Sequence, residues 1–103
     1  MRYAVIVRPK FKIPPEQVGM VIEGFAQWRE RYRDHFEVFE FFAGGGGGFG
    51  IVDFDDAESF NRMMFENPIN WFADIEVHPT IAGDIALGQW REAAAQMMAG
   101  APA

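Results

Sequence analysis

The sequence predicts an α+β fold in which helices cover one face of a four-stranded antiparallel sheet. Three segments, 3–7, 36–42 and 49–54, carry apolar residues at both strand parities, and a fourth segment, 74–81, alternates between apolar and polar residues. Successive side chains of a strand point to opposite faces, so a segment that is apolar at both parities is buried on both faces. Two amphipathic helical patterns lie between these segments. Strand and helix patterns in this order predict the fold class.

The first strand and the first helix have clear local signals. Residues 2–8 are predicted as strand one, which Pro9 ends. The segment 14–17, Pro-Pro-Glu-Gln, is typical of a helix start, because the first turn needs no N–H from proline and an acid suits the positive end of the dipole. The helix then shows one apolar stripe, formed by Val18, Val21, Ile22, Phe25, Trp28 and Tyr32. This stripe predicts that the helix lies on the sheet.

A run of five glycines separates the next two strands. Strand two is predicted at about 35–42, the glycines occupy 44–48, and strand three follows at about 49–54. Glycine loses much backbone entropy on ordering and has no side chain to pack, so we expect a mobile turn that tolerates shortening. A phosphate loop is excluded, because these glycines lead into a strand and no helix start with a Lys-Ser/Thr pair follows.

The second half of the chain adds a helix, a strand and a further helix. Asp55 is followed three positions later by Glu58, which predicts a capping box, and the helix ends before Pro68. We expect this helix to bury Ala57, Phe60 and Met64. Strand four places Ile75, Val77, Pro79 and Ile81 on one face and Asp74, Glu76, His78 and Thr80 on the other. A last helix is predicted at about 85–98, before a frayed tail over 100–103.

This order, βαββαβ with a C-terminal helix, is the ferredoxin-like arrangement, in which right-handed connections place both crossover helices on one face of the sheet. The chain of 103 residues forms a single domain over 1–103. Because the other face of the sheet is apolar and has no helix to cover it, the economical cover is a second copy of the chain. We therefore expect a homodimer that encloses a ligand-sized cavity.

The composition excludes several classes of partner. The net charge of −6 opposes nucleic-acid binding, which needs clustered lysine and arginine. The absence of cysteine rules out disulfides and thiolate metal sites. No apolar run approaches the roughly 18 residues of a membrane span, and the N-terminal segment lacks the pattern of a secretory signal. We expect a cytoplasmic protein with no membrane association.

Several local patterns resemble one superfamily. Strand one ends in Arg8-Pro9, Trp28 lies late in helix one, the glycine turn leads into 49–52 (Phe-Gly-Ile-Val), and 76–79 reads Glu-Val-His-Pro. Together with Asp55-Asp56-Ala57, they resemble a bacterial branch of the dimeric α/β barrel superfamily, which includes antibiotic-biosynthesis monooxygenases, muconolactone isomerases, polyketide cyclases and haem-degrading enzymes. The resemblance implies two sheets that face each other across a dimer axis, with ligands between sheet and helices or inside the barrel. It implies no single reaction, because this fold hosts many.

The polar face of strand four supplies the candidate catalytic residues. Glu76 and His78 are predicted to point toward the barrel interior, where an imidazole near carboxylates can move a proton. Asp53 and Arg8 are candidates to assist them. The alternative is a polar seam in which His78 is only hydrogen-bonded, Arg8 pairs with a neighbouring acid, and Asp53 lies at an edge facing water.

The aromatic content indicates a binding pocket. Eleven phenylalanines and three tryptophans exceed the needs of a small core. The candidate ligand-binding residues are Trp28, Phe39, Phe41, Phe60, Met64 and Trp71, and the expected ligand is a flat apolar metabolite. No cofactor or metal is expected: His35 and His78 lie on different strands, and strand one lacks the asparagine of the haem-degrading relatives.

Two functions follow from these observations. The first is a small cofactor-independent tailoring enzyme, an isomerase, cyclase or monooxygenase, in which His78 acts as acid or base. The alternative is a non-catalytic ligand-binding or accessory dimer, in which the same polar face is only an interface.

Overall fold

A computed structural model describes residues 1–100 of the chain. The tail predicted at 100–103 therefore lies, apart from its first residue, outside the described residues. The strands and α-helices are β1 (Arg2–Pro9), α1 (Val18–Arg31), β2 (Phe36–Phe41), β3 (Gly48–Asp53), α2 (Ala57–Glu66), β4 (Ala73–Thr80) and α3 (Gly83–Ala99). Three short 3-10 turns precede α1, β2 and β4. The predicted order of elements is confirmed.

The four strands form one antiparallel sheet in the order β2-β3-β1-β4. The central strand β1 places Ala4 opposite Ile51 of β3 and opposite His78 of β4. Because side chains alternate along each strand, this register assigns the odd-numbered residues of β1 to the helix-covered face. We call the opposite side of the sheet the bare face. The predicted ferredoxin-like α+β fold is confirmed.

The hydrophobic core lies between the sheet and the first two helices. Its buried members are Tyr3, Val5, Trp28, Val52, Phe54, Phe60 and Met63. The Tyr3 ring stacks on Phe60 with 3.9 Å between centroids. The indole N–H of Trp28 donates to the backbone carbonyl of Met63 at 2.9 Å, which ties α1 to α2. Burial of these side chains holds both helices on one face of the sheet.

The N-cap residue of helix α2 lies one position later in the chain than the predicted N-cap, Asp55. Asp56 is the N-cap, and its carboxylate accepts the backbone N–H of Ser59 at 2.7 Å. That hydrogen bond lowers the pKa of Asp56. Glu58 therefore takes no part in a reciprocal cap. Within the helix Met63 is more deeply buried than the expected Met64.

The edge strand β4 is only partly covered by the helices. Ile75 packs against the core, but Val77 is 37% exposed and Pro79 is also exposed. The prediction that all three pack under the helices is therefore wrong for the second half of β4.

The glycine run has two distinct parts. Gly44, Gly45 and Gly47 have positive φ angles of 91°, 90° and 94°. A Cβ at Gly47 would lie 2.0 Å from the Val7 carbonyl oxygen, whereas a Cβ at Gly46 would meet nothing within 4 Å. At Gly48 a Cβ would lie 2.6 Å from the Glu40 carbonyl oxygen. The expected tolerance therefore does not extend to Gly47 and Gly48, where another backbone approaches closely.

Helix α3 extends away from the rest of the molecule. It spans Gly83–Ala99, slightly longer than predicted, and none of its side chains is buried within residues 1–100. The chain measures 70 × 27 × 21 Å and its radius of gyration is 18.7 Å, against about 13 Å for a compact chain of this size. No helix between residues 1 and 100, α3 included, has the length and apolarity needed to cross a membrane.

Candidate ligand cleft and the bare face of the sheet

An open apolar cleft of about 570 Å³ lies between the sheet and α1. Its volume is within the range of small-molecule sites. The cleft is open where the exposed side chains of Phe11, Ile22 and Phe41 line it, and we call this opening the mouth. Beside it the backbone N–H groups of Lys10 and Phe11 both donate to the Phe72 carbonyl, at 2.9 and 3.1 Å. The cleft occupies the end of the sheet where β1 terminates.

Aromatic rings form one wall of the cleft. Phe25 of α1 lies 6.0 Å from Phe39 and 6.1 Å from Phe41, measured between ring centroids. Phe25 also lies 5.3 Å from Trp28. These rings belong to a helix and to an edge strand, so they border an opening between the two layers. Such a wall suits a flat apolar ligand.

Two glycines form the floor of the cleft. Gly48 and Gly50 occupy helix-facing positions of β3, opposite Val7 and Val5 of β1. A Cβ at Gly50 would lie 3.0 Å from the Val38 carbonyl oxygen and 3.2 Å from the Phe36 ring. The missing side chains leave space above the sheet that larger residues would fill. Their spacing of two within strand three is a signal that the sequence interpretation did not use.

Asn67 brings a polar group to this apolar space. It is the only buried polar residue within residues 1–100, with 3% of its surface exposed, and it lines the cleft. Its Oδ1 accepts the backbone N–H of Ile69 at 3.0 Å, which identifies Nδ2 as the remaining donor. Within residues 1–100 the buried side-chain atoms without a partner are Arg29 Nη1 and Thr80 Oγ1, and Asn67 Nδ2 is not one of them. The sequence interpretation used Asn67 only as a helix end, although a small polar residue within an apolar segment is a usable signal.

Four of the six candidate ligand-binding residues line the cleft: Trp28, Phe39, Phe41 and Met64. Phe60 is buried against Tyr3 in the core, toward the other end of β1. Trp71 lies on the 3-10 turn before β4 and is 81% exposed. The structure therefore places Phe60 and Trp71 outside the cleft.

Three of the four candidate catalytic residues lie together on the bare face. The Arg8 guanidinium contacts one Glu76 carboxylate oxygen at 2.5 Å, and His78 Nε2 lies 3.3 Å from the other. These contacts form because β1 and β4 are neighbours and place the three side chains on one side of the sheet. The hydrogen bond with His78, followed by that with Arg8, lowers the pKa of Glu76.

Asp53 lies apart from that group. It belongs to β3, on the other side of β1, and is paired with Arg2 in the register. Its carboxylate is 3.3 Å from the N-terminal amino group. The second histidine, His35, stacks on Phe54 with 4.0 Å between ring centroids, and its Nδ1 is 2.9 Å from the Asp53 carbonyl oxygen. Residues 1–100 contain no group of three or more acids and histidines arranged to hold a metal ion.

The centre of the bare face is apolar. The register places Ala4 and Ile6 of β1 beside Ile51 and Phe49 of β3, with Val38 on the next strand. An ion pair between Arg2 and Glu37, with its shorter contact at 2.5 Å, borders this centre. The sheet therefore separates two surfaces, the aromatic cleft on one side and an apolar centre bordered by charges on the other.

The sheet order and the placement of α1 and α2 define a ferredoxin-like fold. No protein-family model matches the sequence, and neither does any curated protein. Among solved structures, muconolactone isomerase aligns with a TM-score of 0.71 and 16% identity over 80% of this chain and 90% of that chain. A 5-chloro-2-hydroxyhydroquinone dehydrochlorinase from Burkholderia phenoliruptrix AC1100, in complex with 2,5-dihydroxybenzoquinone, aligns with a TM-score of 0.60 and 16% identity over 82% and 97% of the two chains.

Proposed function

We propose that the chain is a small tailoring enzyme, an isomerase, cyclase or monooxygenase that needs no cofactor, and that its substrate is an apolar or aromatic metabolite. The observation that carries this proposal is the aromatic cleft of about 570 Å³ with a buried amide in its wall. Two proteins that share the fold, an isomerase and a dehydrochlorinase with a bound quinone, support it.

The amide of Asn67 gives the cleft a specific chemical preference. A donor in an apolar, water-poor space interacts strongly with an oxygen that gains negative charge during a reaction. The preferred ligand is therefore a flat apolar ring system that carries a carbonyl or phenolic oxygen. In this arrangement Asn67 binds the oxygen, and the rings of Phe25 and Phe39 contact the apolar part.

The candidate acid or base, His78, does not lie in the cleft. Glu40 is the one ionisable residue in the lining of the cleft within residues 1–100, but the register places it opposite Phe49, on the bare face, where His78 also lies. Catalysis by His78, assisted by Glu76, Arg8 and Asp53, therefore requires a ligand in an enclosed space on the bare face. We propose that this space forms when the bare faces of two copies meet in a homodimer.

A binding experiment tests the cleft. The probe is 2,5-dihydroxybenzoquinone, and the readout is quenching of Trp28 fluorescence in a variant carrying Trp71→Phe and Trp90→Phe, which leaves Trp28 as the only tryptophan. We expect Phe39→Ala and Asn67→Asp each to weaken binding about tenfold. Asn67→Asp keeps the acceptor for the Ile69 N–H but removes the donor.

Phe65→Ala is the matched control, because Phe65 is 71% exposed on α2 and does not line the cleft. Quenching that is weakened equally by Phe65→Ala, or that neither cleft variant changes, would contradict a ligand site in the cleft.

The alternative function is a non-catalytic binding dimer, and the scarcity of ionisable groups in the cleft favours it. A turnover experiment distinguishes this dimer from an enzyme. Exchange of the acidic C–H protons of 2-tetralone in D2O, followed by NMR, reports proton abstraction beside a carbonyl. We expect exchange above the buffer rate. Loss of exchange in His78→Ala assigns the base to the bare face, and loss only in Asn67→Asp assigns the reaction to the cleft. Binding of the probe without any exchange supports the non-catalytic alternative.

A further inference from the structure

Helix α3 is amphipathic, and its apolar side has nothing to pack against within residues 1–100. One side carries Ala86, Leu87, Trp90, Ala93, Ala94, Met97 and Met98, while Asp84, Glu92 and Gln96 lie on other sides. Trp90 is 76% exposed and Met97 77% exposed. An apolar stripe of this length on an isolated helix is typical of a surface that another element covers.

The mouth of the cleft is a second apolar surface without cover. Phe11, Ile22 and Phe41 all line the cleft, and they are 61%, 58% and 67% exposed. Three large apolar side chains around one opening form a patch that favours an apolar partner.

The two surfaces lie at opposite ends of one copy. Strand β4 ends at Thr80, opposite Arg2 at the start of β1, and only residues 81–82 separate it from α3. The mouth lies at the far end of β1, beside Pro9 and Phe11. Because α3 continues away from the sheet and gives the chain its length of 70 Å, it does not reach the mouth of its own cleft.

We propose that the apolar side of α3 packs across the mouth of the cleft of a second copy, and that the α3 of this second copy covers the first cleft in return. Such a reciprocal exchange closes with two-fold symmetry and leaves neither surface open. Each cleft is then completed by Leu87 and Trp90 of the partner copy.

The area involved suits a stable contact. A buried Trp90 removes about 150–250 Å² from water, and Leu87 and the two methionines add to it. The exchange occurs twice and covers the facing aromatic residues as well, so the total exceeds the roughly 1,000 Å² expected of a specific interface. The net charge of −6 disfavours an anionic membrane surface or a nucleic acid as the partner that α3 binds.

Cross-linking tests the arrangement directly, since the chain contains no cysteine. Phe11→Cys and Met97→Cys are made separately, mixed, unfolded, refolded together and treated with a short bismaleimide. We expect a cross-linked pair of twice the 11.7 kDa chain mass, in which mass spectrometry finds the peptide of residue 11 joined to that of residue 97.

Each variant has one cysteine, so any cross-link joins two copies. Ile85→Cys replaces Met97→Cys in the control, because Ile85 lies on the other side of α3 and should not react with residue 11. A dominant link between two residue-97 cysteines would show that α3 pairs with α3, and the absence of any link would show that α3 binds no second copy. Either result overturns the proposal.

The effect on the ligand site rests on the proposed function and needs a separate measurement. With quinone binding measured by isothermal titration calorimetry on the chain that keeps Trp90, we expect Leu87→Glu to weaken binding at least about tenfold, because it opens the mouth. Ile85→Glu introduces the same charge on the other side of the helix and should leave binding unchanged. Equal effects of both substitutions, or no effect of either, would contradict the proposal that α3 of the partner copy covers the mouth of the cleft. Cross-linking without quinone binding would retain the exchange and reject the ligand site.

Discussion

The two faces of the sheet come from the same four strands but have different roles. In β1, Tyr3 and Val5 pack under the helices, while Ala4 and Ile6 lie on the bare face. The chain completes the first face by itself and leaves a cleft over Gly48 and Gly50. Within residues 1–100 it leaves the second face, which is equally apolar at its centre, without cover. Strand periodicity therefore makes both faces apolar, and helix placement decides which of them needs a partner.

The two faces also divide the candidate chemistry. The space of ligand size and the amide of Asn67 are on the helix-covered side, whereas Arg8, Glu76 and His78 are on the bare side. Within one copy the cleft and the Arg8–Glu76–His78 group therefore do not meet. Four substitutions test how far the two faces are independent.

The largest effect is expected from a charge at the centre of the bare face. Ile51→Glu places a carboxylate within the proposed sheet-to-sheet interface, where an unpaired buried charge costs several kcal/mol. We expect the dissociation constant of the dimer to rise at least about 1,000-fold, with the fold retained. Sedimentation at micromolar concentration should show the shift from a dimer to the 11.7 kDa monomer.

Phe65→Glu, on the exposed side of α2, is the control and should leave the dimer intact. If the unmodified chain already sediments as a stable monomer, the bare face has no partner copy and the proposed dimer is wrong.

The second effect is on the stability of the helix-covered face. Met63 is 1% exposed, so Met63→Ala leaves a cavity in the core and should lower the free energy of unfolding by about 2–5 kcal/mol. Phe65→Ala, two positions along the same helix, should change it by less than about 0.5 kcal/mol. Urea denaturation followed by circular dichroism measures both. Similar losses for the two variants would mean that α2 is not packed as described.

The third effect concerns the glycine turn beside the cleft. Gly47→Ala combines a positive φ of 94° with a Cβ placed 2.0 Å from the Val7 carbonyl oxygen, so we expect a loss of at least about 2 kcal/mol. Gly46→Ala has open space and no such φ, and it should be neutral. Comparing the unfolding midpoints of the two variants checks the prediction. An equally tolerated alanine at 47 would mean that the turn rearranges freely.

The smallest effect is the pH dependence of the bare face. The folded-state pKa of Glu76 is below its ordinary value, so the ionised form favours the folded state. This contribution is present above about pH 4.3, the ordinary glutamate value, and is lost as the pH falls through the lowered folded-state value. Glu76→Gln should therefore flatten the decrease in the urea midpoint between pH 6 and pH 3.

Asp56→Asn is the control for the interface, because Asp56 also has a lowered pKa and should affect the urea midpoint in the same direction, but it caps α2 far from His78. We expect the change at Glu76, and not that at Asp56, to alter the acid dependence of dimer dissociation measured by sedimentation. If Glu76→Gln leaves the acid dependence of dimer dissociation unchanged, Glu76 does not lie in the interface.

The sequence determined the elements, their order and the fold class, because strand and helix periodicities are local and connection handedness limits the topology. The same periodicity correctly placed Glu76 and His78 on one side of β4. The aromatic and methionine content pointed to six candidate ligand-binding residues, of which Trp28, Phe39, Phe41 and Met64 line the cleft.

Only the tertiary structure decided which side chains share a space. The sequence does not distinguish Phe60 and Trp71 from Phe39 and Trp28, which line the cleft. Phe60 packs in the core and Trp71 is exposed, because the position of the helices over the sheet determines which aromatic side chains reach the cleft. The roles of Asn67 and Gly47 likewise depend on contacts with residues distant in the chain. The sequence predicted α3, whereas its separation from the sheet was seen only in the structure. The physical reason is that an amphipathic pattern shows that a surface must be buried but does not specify the surface that buries it.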